Sequence, residues 1–146
     1  LAPIEVDRMN KAHIVLPFLP PAELRGNSRA HWAKKARAAK QMRSSGYWHG
    51  LDDCIDLRHL ERVSVKYTFS NFRPIDLDNL VIGMKSWADG FLVDAEIVPD
   101  DNPDHVQLEA PEFVKAQKGD EKTIIDIKEI SPQRRTRGKG RKINAK

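Results

Sequence analysis

From Glu61 to Phe69 apolar and polar residues alternate, with Val63, Val65, Tyr67 and Phe69 set against Arg62, Ser64, Lys66 and Thr68. A period of two turns one face toward a core and the other toward water, as in a half-buried strand. Directly afterwards the period changes. Leu77, Leu80, Val81, Met84, Trp87, Ala88 and Phe91 recur at helical spacing. The chain must therefore leave a strand, turn at Asn71-Phe-Arg-Pro74 and enter a helix with Asp76 as its N-cap. That step confines the fold to helices packed on a sheet.

The flanking segments extend the same pattern. His13-Ile-Val-Leu-Pro-Phe18 is β-rich and is stopped by Pro17, Pro20 and Pro21. Residues 28–44 read as a helix capped by Asn27 or Ser28, with Trp32, Ala36 and Ala39 on one stripe and Lys34, Arg37 and Gln41 opposite. On that stripe Trp32 is expected to anchor the helix to the core rather than to stack on a base, and His31 beside it to cap the helix or contact phosphate. Residues 45–60 carry neither period. Val106 to Val114 and Lys122 to Ile130 read as two further strands. The expected class is α+β: a small mixed sheet with two packed helices, in the order β-α-β-α-β-β. Residues 1–11 form a loose lead-in, 12–130 the domain, and 131–146 a basic tail with nothing to bury.

Charge adds a constraint that the net value of +4 conceals. Residues 131–146 hold seven basic residues and no acid, so residues 1–130 hold 18 basic against 21 acidic. Arg25 to Arg43 contains seven bases and no acid, whereas Asp89 to Asp104 contains six acids and no base. Such asymmetry points to a polyanion at the first segment and a cation at the second; a solvated helix face explains the basic run equally well. The single cysteine, Cys54, excludes an intramolecular disulfide and is expected to be buried and inert. Five scattered histidines do not suggest a structural zinc site. No stretch approaches the roughly 18 apolar residues a membrane span needs, so no membrane is expected and the cytoplasm is the expected compartment.

The segment that carries chemistry is Arg73-Pro-Ile-Asp76-Leu-Asp78-Asn79-Leu80, followed by Pro99-Asp100-Asp101-Asn102-Pro103. In an extended entry to the helix, Asp76 and Asp78 present two carboxylates to one point, and a third from the later loop completes an oxygen-rich site. Hard oxygen ligands suit Mg²⁺ or Mn²⁺, which hold a phosphate oxygen and activate water for phosphodiester hydrolysis. The same residues also make a good helix cap and a good turn.

Asp76-Leu-Asp-Asn-Leu80, a helix, then Asp100-Asp101 and a strand from Val106 resemble the RusA family of Holliday junction resolvases. Pro17-Phe-Leu-Pro-Pro21 followed by Asn27-Ser-Arg-Ala-His-Trp32 is similar to the phage-borne members, and the resemblance spans residues 12–130. It implies a homodimeric, Mg²⁺-dependent endonuclease that cuts four-way DNA junctions symmetrically, with Asp76, Asp78 and Asp101 as metal ligands. The family's lysine, four residues after the second Asp, falls on Ile82. Lys85 lies on the face of Asp78 about 10 Å further along an unbroken helix. An alignment with three inserted residues selects Lys85 and matches Asp89 to an acid one turn later. Arg29, Lys34, Lys35, Arg37, Lys40 and Arg73 are the expected DNA contacts. A non-catalytic binder of branched DNA on the same scaffold, and a nuclease for other branched or single-stranded DNA, are the alternatives.

Overall fold

The computed structural model describes residues 10–52 and 57–132; Cys54, most of the lead-in and most of the tail lie outside this set. Five strands, β1 (Lys11–Leu16), β2 (Val63–Asn71), β3 (Val106–Leu108), β4 (Glu112–Lys115) and β5 (Lys122–Glu129), form one mixed sheet. β5 lies antiparallel between β1 and β2, pairing Ile125 with Ile14 on one side and Tyr67 on the other. β3 and β4 both run parallel to β2, at Val63–Val65 and Thr68–Asn71 respectively. The single strand expected over 106–114 is thus two. Pro111 falls between them and has no N–H to give the ladder.

The alternation of β2 has the consequence expected of it. Val63, Val65, Tyr67 and Phe69 are buried together with Ile14, Leu16, Ile125 and Ile127. The opposite face is polar, with Lys66 bonded to Glu112 at 2.8 Å and His13 to Asp126 at 2.6 Å.

Helices cover the apolar face. α1 (Trp32–Asp52) has 21 residues and runs well beyond the expected end at 44. His31 starts it: its carbonyl accepts from the N–H groups of Lys34 and Lys35, and its Nδ1 from that of Ala33 at 3.2 Å. The buried stripe is Ala38, Met42, Gly46 and Gly50, not Trp32, Ala36 and Ala39. Trp32 is 75 % exposed, which corrects the expected core anchor. Beside the Ala38 and Met42 side chains α1 buries backbone: a Cβ on Gly46 would stand 2.0 Å from the Trp87 carbonyl oxygen, and one on Gly90 1.9 Å from that of Arg43. Two segments that touch through their main chains select glycine, and that contact overrides glycine's poor helix propensity.

The second expected helix is broken. α2 (Leu77–Gly83) ends at Met84, α3 (Lys85–Ala88) follows, and Asp89–Asp94 continues as a π-helical segment in which Ala95 N–H reaches Gly90 O at 3.1 Å. The break falls where Gly83 meets Pro20, whose ring a Cβ would approach to 2.8 Å. The apolar stripe continues across it: Leu80, Met84, Trp87 and Phe91 are all buried, and the rings of Trp87 and Phe91 stack at 4.8 Å. The class is α+β with a mixed sheet, but among the described residues there are three α-helices and five strands rather than two and four. Among the described residues no helix is long and apolar enough to cross a membrane.

Candidate active site

The site begins where β2 ends. The buried Asn71 donates through Nδ2 to the Arg73 carbonyl at 3.0 Å, tightening the turn, and Pro74 keeps its predecessor out of the helical region. Asp76 then caps α2, its Oδ1 accepting from Asp78 N–H at 2.9 Å. Asp78 therefore lies inside the first helical turn, and the side-by-side geometry of an extended strand does not apply. Both carboxylates are exposed at a helix start, where negative charge is favoured.

Lys85 opens α3 after the break, which removes the unbroken helix that related it to Asp78. Its Nζ donates to Asp89 at 2.8 Å and to Asp101 in a second, shorter contact. Both bonds, that to Asp101 first, raise the Lys85 pKa, and Lys85 in turn holds the Asp101 carboxyl below the usual carboxylate range. The turn that precedes β3 decides which acid is presented. Asp100 spends its oxygens locally, on Asp101 N–H at 2.7 Å and Asn102 Nδ2 at 3.2 Å, while Asn102 Oδ1 accepts from Asp104 N–H. Asp101 is left facing Lys85. Asp89, which the alignment through Lys85 matches to an acid one turn later, joins the site through that spacing of four.

Beside Lys85 and Asp101 lies a cleft of about 420 Å³, walled by Val65, Tyr67, Val81, Ile82, Leu92 and Leu108 among others. Its lining is apolar, and burial pushes the Tyr67 phenol well above its ordinary pKa, so that hydroxyl stays protonated.

Asp101 is brought to Lys85 and Asp89. No bond joins it to Asp76 or Asp78, and among the described residues no group of three or more His, Cys, Asp or Glu side chains gathers as a metal site. Asp101 is paired with the Lys85 ammonium instead. The donor set still fits a hard cation. Asp76 and Asp78 offer only carboxylate oxygen, and Mg²⁺ commonly takes one or two protein carboxylates and fills its shell with water and substrate phosphate.

The basic residues divide by role. Arg25 donates through Nε to the Pro20 carbonyl at 2.9 Å, and Arg43 forms a two-pronged pair with Asp94 at 2.6 and 2.9 Å. Both ends of the basic run are thereby structural. Between them Arg29, Lys34, Arg37 and Lys40 are exposed, and Lys35 is half-buried with Nζ at 3.4 Å from the Ser28 carbonyl. Arg73 is exposed over the Phe72 ring at 5.1 Å, three residues before Asp76. No known protein family and no curated protein matches this chain.

Proposed function

We propose that the chain is a Mg²⁺-dependent, structure-selective endonuclease that cuts four-way DNA junctions as a homodimer, in recombination and repair. The observation that carries this reading is the convergence of Lys85 and Asp101, sixteen residues apart, in the segment where the resemblance to the RusA resolvases falls. Asp76 and Asp78 supply the remaining carboxylates at the start of α2.

Asp76 and Asp78 would hold Mg²⁺, or Mn²⁺ in its place, with Asp101 joining them once it leaves Lys85. The ion supplies charge for the phosphate and an activated water. The chain's own residues do the rest. A scissile phosphate competes with Asp101 for the Lys85 ammonium, and Lys85 then offsets the charge that grows in the transition state. Asp89, one turn on, keeps that ammonium in place during the exchange. Exposed cations of α1 and Arg73 bind backbone phosphates, which makes affinity fall steeply with salt.

The test is a labelled four-way junction incubated with the protein in Mg²⁺, beside Asp78→Asn. Symmetric cuts lost in the variant support the proposal. Tight binding by both proteins without cuts supports the non-catalytic binder, which is kept open by Ile82 at the position of the family's lysine. Cleavage of flaps or single strands but not of junctions assigns a different DNA substrate.

A further inference from the structure

Trp32 opens α1 with its side chain 75 % exposed, although tryptophan is among the residues most buried on average. Nothing in its own helix covers it. One turn on stands Ala36, itself exposed and too small to reach the indole, and the buried stripe of α1 begins at Ala38. Its ring neighbour is His31, at 5.6 Å and tilted by 33°. That imidazole is fixed by the hydrogen bond it accepts from Ala33 N–H, so the indole has a set flank on one side and an open face on the other.

The segment that carries this open face has charge of one sign. With Arg25 and Arg43 committed to the fold, Arg29, Lys34, Arg37 and Lys40 remain exposed along the same 19-residue acid-free run, residues 25–43. On the helix Lys40 lies about 80° round from Trp32, and Lys34 and Arg37 about 160° and 140° round, so cations border the exposed indole rather than enclose it. An aromatic plane on such a segment matches an unstacked nucleobase whose backbone passes over the helix: the ring takes the base face and the cations take the phosphates.

We infer that Trp32 stacks on a nucleobase left unpaired or unstacked at the branch of a DNA junction, and so separates branched DNA from duplex. The inference rests on the nuclease reading above and names the part of the substrate that α1 reads. In continuous duplex each base is already stacked, and an indole gains little; at a branch the neighbouring base face is open. The lysines and arginines of α1 hold phosphates in either DNA and do not discriminate.

Trp48 is a built-in control. It is 55 % exposed on the same helix, but sixteen residues on it stands about 24 Å away and turned by about 160°. It packs edge-on to Tyr47 at 5.3 Å and lies past the basic run.

The experiment uses the full chain in EDTA, so that no cleavage intervenes. Anisotropy compares a labelled four-way junction with a linear duplex of matching sequence, and a second junction carries 2-aminopurine at the branch. Trp32→Ala should weaken junction binding about tenfold, leave duplex binding within about twofold, and abolish quenching of the 2-aminopurine. Trp32→Phe, which keeps a stacking ring, should stay within about threefold of the unsubstituted chain, and Trp48→Ala should change nothing. Equal losses on both DNAs, or a junction preference that survives Trp32→Ala, overturns the inference and leaves the nuclease reading standing. So does a fall in self-association by sedimentation that accounts for the loss, since the indole would then face a second copy. If the unsubstituted chain binds junction no better than duplex, the nuclease reading fails and this inference fails with it.

Discussion

Two regions meet along the stretch from Asp76 to Asp94, and they are built on opposite principles. At the crossing of α1 with the π-helical segment, the decisive feature is side chains that are missing: Gly46 and Gly90 let main chain touch main chain. At the candidate active site the decisive feature is side chains that reach. Lys85, Asp89 and Asp101 hold one another across exposed surface, and Asp76 closes the first turn of α2. The first arrangement cannot give way without moving a helix. The second can exchange partners at the cost of a few hydrogen bonds, which is what the proposed entry of a phosphate would require.

The crossing is where the comparison should break most sharply. Gly90→Ala places a methyl group 1.9 Å from the Arg43 carbonyl oxygen, and backbone on both sides leaves nothing flexible to yield. We expect a loss of about 3 kcal/mol or more, seen as a fall in Tm of roughly 10 °C. Gly119→Ala provides the reference. That glycine has φ +96° but nothing within 4 Å of the added atom, so backbone strain alone should cost about 1 kcal/mol. Equal Tm values for the two variants would mean that the close approach is not what holds α1.

The same contrast explains what could be read beforehand. The face of β2 was legible because alternation and burial coincide at Val63, Val65, Tyr67 and Phe69. The stripe from Leu80 to Phe91 was legible too, but the break at Met84 was not, since apolar spacing persists when a helix is interrupted in phase. α1 was misread for a physical reason: its buried line holds one large apolar side chain, Met42, beside an alanine and two glycines that serve close backbone approach, while Trp32 points to water. At the site, the cap by Asp76 and the spacing of Lys85 and Asp89 follow from local rules. The meeting of Lys85 with Asp101 depends on a loop folded by Asp100 and Asn102, a tertiary event that no periodicity reports.

The site should answer to substitution in the reverse way. Lys85→Ala removes two ion pairs, but the lysine side chain is 64 % exposed, and pairs at such positions contribute less than about 1 kcal/mol. Stability by urea melt should scarcely change. Junction cleavage in Mg²⁺ should drop by about 100-fold or more, the usual effect of removing a cation that stabilises transition-state charge. A variant that cuts normally would reduce Lys85 to a surface residue; one that unfolds would show that the site shares the rigidity of the crossing.

The smallest effect lies on the border between the two regions. Arg43, whose carbonyl faces Gly90, also sends its guanidinium to Asp94 at the end of the π-helical segment, so one residue touches the crossing through its backbone and through a salt bridge. The bond to Arg43 holds the Asp94 carboxyl below its ordinary range. A carboxyl that is more acidic folded than unfolded stabilises the fold at neutral pH, and that contribution disappears as pH falls through the depressed folded value. Both partners are substantially exposed, so the amount is below about 1 kcal/mol and shrinks with salt. Thermal melts of the protein and Asp94→Asn should therefore differ slightly at pH 7, converge in acid, and converge again at pH 7 in 1 M salt. A difference that persists in acid would show that the Asp94 position matters through packing, and that the border belongs with the crossing rather than with the charged surface.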